Sequence, residues 1–359
     1  MGRKVLFALV ALAMLVAACG DDDGEATTTT AAGSTTTAAE TTTTTAAELR
    51  AETLIVPNPS AVNWYNVCVA SGQGFFAEQG LEITVEALDG SGPTLQAMAA
   101  GQAIFGAPGP VPILAAHERG ELPVGIFNHY ATTVFGLVVE EGSGITTAAD
   151  LKDKVVGVGT AEGAEVGWAR GILLEAGLTE GVDYEFLPVG DGGQATAAFE
   201  RGEVVAYAAG VPDIGIMEAR GLVLNDITPD SYKLFYGNMY AVFQGTIDEE
   251  PELVQAFVNA LVEASKFGQD PANFETVLDD CAVQNPEEGN ERELAAAILR
   301  VVLVHTTPLS GDYGYYDMAG WEFIQQVALD GGSIAAAQDL NTVFTNQFVE
   351  AAYAAGFGG

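Results

Sequence analysis

The stretch from Leu54 to Gly109 alternates two periodicities, and that alternation leaves few folds open. Thr53–Val56 is a short apolar run with strand character. Asn63–Gly74 carries Trp64, Val67 and Cys68 at the spacing of one helical face. Gly80 stops that segment, and Leu81–Leu88 alternates apolar and acidic residues like a half-exposed strand. A second helix opens at Gly92-Pro93-Thr94, with proline in its first turn and Leu95 and Met98 facing inward. Gly101 ends it. Ala103–Gly106 reads as a buried strand running into the turn Ala107-Pro108-Gly109-Pro110. Strand, helix, strand, helix, strand specifies a parallel α/β unit, and such sheets bind ligands beyond the carboxyl ends of their strands.

The plan then repeats. In the first unit one helix stops at Gly80-Leu81 and the next at Gly101-Gln102; in the second, Glu165–Ala176 stops at Gly177-Leu178 and Ala195–Arg201 at Gly202-Glu203. The glycine separations are 21 and 25 residues, with the strand Tyr184–Val189 between the second pair. Each second helix leads into small residues and a turn, AIFGAPGP and VVAYAAGVP. Two such lobes meeting loop-end to loop-end enclose a cleft, so the expected architecture is a two-lobed α/β clamshell.

The N-terminus carries Arg3 and Lys4, an apolar run Val5–Ala18 and then Cys19, the pattern of an export leader over residues 1–18. The apolar run is short for a membrane span. Val16-Ala17-Ala18-Cys19 resembles the bacterial lipoprotein box, which implies lipidation of Cys19 and attachment to the outer face of a membrane; an ordinary leader with an incidental cysteine is the alternative. Residues 19–52 are rich in Thr and Ala without apolar anchors and read as a tether with an r.m.s. span on the order of 30 Å. Within it Asp21-Asp22-Asp23 reads as a hydrated linker rather than a calcium site.

The chain has 49 Asp and Glu against 13 Lys and Arg, a formal charge of −36, which argues against nucleic acid and other polyanionic partners. An apolar content of 48% allows sizeable cores. Beyond Cys19 only Cys68 and Cys281 remain, and in an exported domain they form either a disulfide or two buried thiols. Lobe 1 is expected over residues 53–139, lobe 2 over 140–236, and the remainder of lobe 1 over 237–359. Val124–Val139 reads as two adjoining strands whose end crosses between lobes, and Leu234–Gly245 as the returning strand; two crossings make a hinge. Lys154–Gly159 is expected as the first strand of lobe 2. Pro251–Ala264, Glu291–Val304, Met318–Leu329 and Thr342–Ala355 are expected helices packing on lobe 1.

Together these residues carry a family resemblance. VASGQGFFAEQGLEI, LQAMAAGQ, GSGITTAADLKDKVVGVGT, ILLEAGL, AAFERGEVVAYAAGVPD and PELVQAFVNALVEA follow in order over nearly all of Thr53–Lys266. The series resembles type II substrate-binding proteins of ABC importers, in the group that binds thiamine pyrimidine precursors, nitrate, taurine and alkanesulfonates. The resemblance implies capture of a small molecule outside the membrane and delivery to a permease with its ATPase, by a monomer without cofactor or metal and without chemistry. Pyrimidine-precursor synthases share the fold, but Lys152, Lys154, Lys233 and Lys266 fall on no expected cleft loop, and His117, His129 and His305 show no catalytic or metal spacing. A sensor lipoprotein is the other alternative.

The candidate ligand contacts divide by lobe. In lobe 1, Ser91 and Gly92 precede a helix whose free N–H groups suit a carbonyl or anion, unless Ser91 is a simple cap. Asn63, Trp64 and Tyr65 start the first helix, with Trp64 assignable to site or core. His129 and Tyr130 lie near the first crossing, Tyr236 and Asn238 near the second; a histidine in an apolar strand is more often structural. In lobe 2, Thr160, Glu162 and Glu165 form an acidic loop and helix start, and Asp213 closes the motif Val211-Pro212-Asp213. Two carboxylates there oppose a sulfonate or nitrate and favour an amine, amidine or pyrimidine donor, unless they only stabilise the helix. Pyrimidine binders carry a comparable Glu, best matched by Glu165, whereas Val56-Pro57-Asn58-Pro59 departs from their Asp-Trp-x-Pro.

Overall fold

The computed structural model describes residues 49–190, 192–309 and 311–358. The leader, Cys19 and the tether up to residue 48 lie outside the described residues. The first lobe runs β1 (Arg50–Val56), α1 (Tyr65–Gly72), α2 (Phe75–Glu78), β2 (Leu81–Ala87), α3 (Ser91–Ala99), β3 (Phe105–Gly106), α4 (Pro110–Glu118) and β4 (Pro123–Phe127). The second runs β5 (Phe135–Glu140), β6 (Lys154–Val158), α5 (Ala164–Glu175), β7 (Tyr184–Pro188), α6 (Gly193–Glu200), β8 (Ala206–Gly210), α7 (Val211–Ala219) and β9 (Leu224–Asp226). The chain returns as β10 (Tyr240–Phe243), α8 (Gln244–Glu249) and α9 (Pro251–Gln269). It ends with α10 (Phe274–Gln284), α11 (Pro286–Asn290), α12 (Arg292–His305), α13 (Met318–Asp330), α14 (Leu340–Val343) and α15 (Gln347–Ala354).

Strand order shows the internal repeat directly. One sheet is β2-β1-β3-β10-β4 and the other β7-β6-β8-β5-β9. In both, three parallel strands are followed by an antiparallel strand that has just crossed from the other lobe, β10 in one and β5 in the other. The crossings differ from those expected. Phe135–Val139 pairs with Gly210–Ala206 and belongs to the second sheet, so the chain passes between sheets over residues 128–134 and not at Val139. The return passes over residues 227–239, leaving only Tyr240–Phe243 of the expected Leu234–Gly245 strand. The tether boundary also moves: Arg50, Ala51 and Glu52 pair with Leu81, Glu82 and Ile83, because ladder bonds need no apolar side chain. Gly74, with φ 85°, breaks the first expected helix into α1 and α2.

Helix α9 anchors the first core. Phe257 stacks on Phe105 with ring centroids 3.9 Å apart and on Phe76 at 5.5 Å, each such ring contributing roughly 1.5–3 kcal/mol by burial. Cys68 of α1 and Cys281 of α10 form a disulfide with Cα atoms 5.0 Å apart. The C-terminal helices do not all pack on lobe 1. On α13, Trp321, Ile324, Val327 and Ala328 join Trp168, Ala169 and Ile172 of α5 in one core. Helix α12 packs against α7 of lobe 2 as well as the turn before α1. No helix among the described residues is long and apolar enough to cross a membrane.

Removing the disulfide with Cys68→Ser/Cys281→Ser is expected to lower stability by about 2–5 kcal/mol, measured by urea denaturation. A pH effect comes from His129, buried with Nε2 2.7 Å from the Asn63 carbonyl. Burial lowers its pKa from 6.5 to about 4 against the opposing hydrogen bond. Between those values the unfolded chain takes a proton that the native state refuses, so stability falls as pH falls through this window. The expected loss from this residue between pH 7 and 4.5 is roughly 2–3 kcal/mol. His129→Gln should show a shallower decline, with part retained because burial also lowers His117 and His305.

Candidate functional site

A cavity of about 440 Å³ lies between the sheets, within the range of roughly 300–1,000 Å³ usual for small-molecule sites. Its walls are the loops following β1, β2, β6 and β8, at the carboxyl ends of parallel strands where open α/β sheets bind ligands. The C-terminal helices α11 and α12 form a third wall through Asn285, Glu287, Glu288, Glu291, Ala295 and Ile298.

On the lobe 1 side, Asn58 organises the turn after β1: its Oδ1 accepts from Ser60 N at 3.2 Å and from Asn63 Nδ2 at 3.1 Å. Asn63 is held in turn by Tyr130, whose hydroxyl donates to its backbone and side-chain oxygens at 3.1 and 3.2 Å. Ser91 is not the cap of α3, a position held by Gly90. Instead its Oγ accepts from Gly109 N at 3.0 Å and ties the loops after β2 and β3 together. Asn238, on the return crossing, donates Nδ2 to Ala107 O at 3.0 Å.

On the lobe 2 side, Glu165 stands in the first turn of α5 and bends back so that Oε1 accepts from Thr160 N at 3.2 Å. Tyr207 donates its hydroxyl to Gly190 O at 3.1 Å and lies 3.5 Å from Asp213 Oδ2. On the third wall, Glu288 reaches across to the start of the first helix. It accepts from Ser60 Oγ at 2.6 Å, Ala61 N at 2.7 Å and Val62 N at 3.2 Å, while Asn285 Nδ2 donates to Pro59 O at 2.9 Å. Among the described residues the lining contains the carboxylates of Glu165, Asp213, Glu287, Glu288 and Glu291, and no Lys, Arg or His.

The two lobes touch where side chains are missing. A Cβ on Gly90 would lie 3.0 Å from Thr160 Oγ1, one on Gly92 2.7 Å from Glu162 Oε2, and one on Gly109 2.3 Å from the Ala164 Cβ.

Of the residues expected from sequence, Asn63, Ser91, Thr160, Glu165, Asp213 and Asn238 line this cavity. Gly92 and Glu162 face a second cleft on another side of the lobe contact. Trp64, Tyr65, His129 and Tyr130 form a buried aromatic cluster behind Asn63, and burial raises the pKa of Tyr65 to about 12 and also that of Tyr130. They are packing and positioning groups because they are buried against residues of α9 and β10, Trp64, Tyr65 and Tyr130 in one core with Phe257 and Tyr240 and His129 against Tyr240. Tyr236 is spent in the opposite direction, its hydroxyl donating to Asp317 O and accepting from Asp317 N, both at 2.8 Å. The aromatic rings that do line the cavity are Phe135 and Tyr207. Those two, with Asn58, Ser60, Ile216 and the whole third wall, were missed by sequence reading. Only the Asn58-Pro59-Ser60 turn carried a local signal.

Paired α/β lobes around a cavity at their strand ends define the type II binding-protein clamshell. The chain belongs to the family described as NMT1/THI5 like, whose model matches residues 61–272. It is 23% identical over 305 residues to the riboflavin-binding protein RibY of Chloroflexus aurantiacus, covering 82% of this chain and 84% of that protein. A solved structure from Bordetella bronchiseptica RB50 has the same fold, with a TM-score of 0.71 at 21% identity, over 86% of this chain and 98% of that one. So does the periplasmic aliphatic sulphonate binding protein SsuA of Escherichia coli, with a TM-score of 0.62 at 17% identity, over 81% and 91% of the two chains.

Gly109→Ala tests the lobe contact. Gly109 has φ −82°, so alanine is conformationally allowed, but its Cβ would stand 2.3 Å from that of Ala164. Neither atom can rotate away, so the lobes must part by on the order of 1 Å. The variant is expected to keep its thermal midpoint within a few degrees while small-angle scattering shows a larger radius of gyration.

Proposed function

We propose that the protein is the extracytoplasmic, substrate-binding component of an ABC-type importer, monomeric and held to the membrane by lipid on Cys19. It captures a small nitrogen-containing organic molecule and passes it on unchanged. The family, the clamshell and the interlobe cavity support the binding role. The observation that carries the ligand class is the lining, which among the described residues has five carboxylates, from lobe 2 and the third wall, and no cationic side chain. A sulfonate or nitrate entering such a cavity meets like charge in a low-dielectric setting. An amine, amidine or aminopyrimidine meets acceptors.

A thiamine-type pyrimidine is the leading ligand. Phe135 and Tyr207 are the rings placed to pack on it, each offset pair adding roughly 0.5–1.5 kcal/mol. Glu165 and Asp213 are the acceptors for its amino groups, since both line the cavity from lobe 2. Closure of the lobes about residues 128–134 and 227–239 completes the capture.

Mass spectrometry of what co-purifies with the soluble domain identifies the ligand class. A thermal-shift panel of aminopyrimidines, thiamine and riboflavin against taurine, methanesulfonate and nitrate is expected to favour the nitrogen heterocycles. Glu165→Gln should weaken binding by roughly tenfold or more, since a charge-assisted bond is worth about 1.5–3 kcal/mol, and Ser91→Ala should do less. Stabilisation by a sulfonate alone, undiminished in Glu165→Gln, overturns the ligand reading. Scattering should show a smaller radius with ligand, and no product should form. Cys19→Ser should abolish incorporation of labelled fatty acid; retained label removes the anchor.

A further inference from the structure

The turns after β1 and β6, which hold equivalent positions in the two strand orders, are natural places for backbone donors to meet a ligand. In this protein both turns are already occupied by a carboxylate of the chain itself. In lobe 2, Glu165 takes Thr160 N from five residues away. In lobe 1 the acceptor comes from the far end of the chain: Glu288 takes Ser60 Oγ, Ala61 N and Val62 N at 2.6, 2.7 and 3.2 Å. Ser60 N goes to Asn58 Oδ1 at 3.2 Å. Ser60 and Glu288 both line the cavity.

We propose that Glu288 is a specificity-determining residue: by seating an internal carboxylate on the Ser60–Val62 donors at the cavity wall, it excludes ligands whose recognition group is an oxyanion. The carboxylate does two things at once. It satisfies three donors that would otherwise receive an oxyanion, and it places a negative charge beside the position such a group would take. Helix α11 presents it rigidly. Asn285 caps that helix by accepting from Glu288 N at 3.2 Å and also ties it to Pro59 O. The disulfide between Cys68 and Cys281 fixes the preceding helix to α1. Tethered in this way the carboxylate has a high effective concentration, so a free anion does not displace it.

Removal of the carboxylate reverses the selectivity without altering the rest of the lining. An external anion that enters Glu288→Ala restores the charge the wild type already carries at that point. The remaining carboxylates therefore oppose it no more than they oppose Glu288.

The experiment compares wild type, Glu288→Ala and Glu288→Gln by thermal shift with sodium acetate and sodium methanesulfonate, using sodium chloride at equal ionic strength as reference. Wild type should show no shift beyond chloride. Glu288→Ala should melt several degrees lower and regain much of that loss with acetate, saturating in the millimolar range. Methanesulfonate should bind it at least tenfold more tightly than it binds wild type. Glu288→Gln, whose amide oxygen still accepts, should fold with a smaller loss and respond weakly. If Glu288→Ala fails to fold, recovery of folded protein on refolding in acetate but not chloride supports the proposal.

Equal response of Glu288→Ala to acetate, methanesulfonate and chloride overturns the proposal, as does methanesulfonate binding to wild type with Glu288→Gln no tighter. The acetate readout does not depend on which nitrogen compound the wild type carries. A failed ligand panel with successful acetate rescue therefore counts against the proposed ligand and not against the role of Glu288.

Discussion

The closeness of the lobes depends on absent side chains. Gly90 lies against the Thr160 side chain and Gly92 against that of Glu162, and at Gly109 against Ala164 the two halves come so close that a further carbon does not fit. That approach converts two strand-end loops into a walled cavity. It also has to hold against charge, since acidic side chains line lobe 2 and the third wall. Packing supplies what charge does not: the core shared by α13 and α5, and the seat of α7 on α12, join the lobes through apolar contact.

The third wall gives this clamshell its particular character. Helices α10 to α12 belong by connectivity to the end of the chain, yet they are bound to its beginning by a disulfide, by Glu288 on the Ser60–Val62 donors and by Asn285 on Pro59. Each of these links crosses more than 200 residues. Their effect is local and chemical: carboxylates and the apolar side chains of Ala295 and Ile298 face the same space that the two sheets open onto. The pocket is therefore polar at the strand ends and apolar along α12. Such a lining suits a molecule with a flat apolar body and donor groups at its edge.

The buried cluster behind the cavity shows how a residue serves a site without touching it. Tyr130 and His129 both bond to Asn63, and Asn63 reaches the cavity. Trp64 stacks on His129 with centroids 5.5 Å apart, and Tyr240 closes the group by donating to Asn66 Oδ1 at 2.7 Å. These aromatics hold the start of the first helix in place, so the ring-bearing residues nearest the expected site in sequence became its support. The rings that face the ligand space, Phe135 and Tyr207, lie on strands of the second sheet.

What the sequence determined by itself was everything that depends on local period and punctuation. The alternation of strands and helices, the stops at Gly80, Gly101, Gly177 and Gly202, and the duplication of the unit all follow from near-neighbour geometry, and they carried the clamshell with them; the family came from the resemblance of the ordered motifs. Asn63, Ser91, Thr160, Glu165, Asp213 and Asn238 were legible because strand ends and helix starts mark cleft loops in any parallel sheet. Tertiary structure decided the rest. Whether Cys68 met Cys281, whether Trp64 faced core or cavity, and which sheet received Phe135–Val139 depended on partners distant in the chain. Glu288 escaped the sequence reading, because nothing within ten residues of it registers the turn at Ser60 that it folds onto. A contact made across such a separation leaves no periodic trace. Its chemistry exists only once the chain has closed.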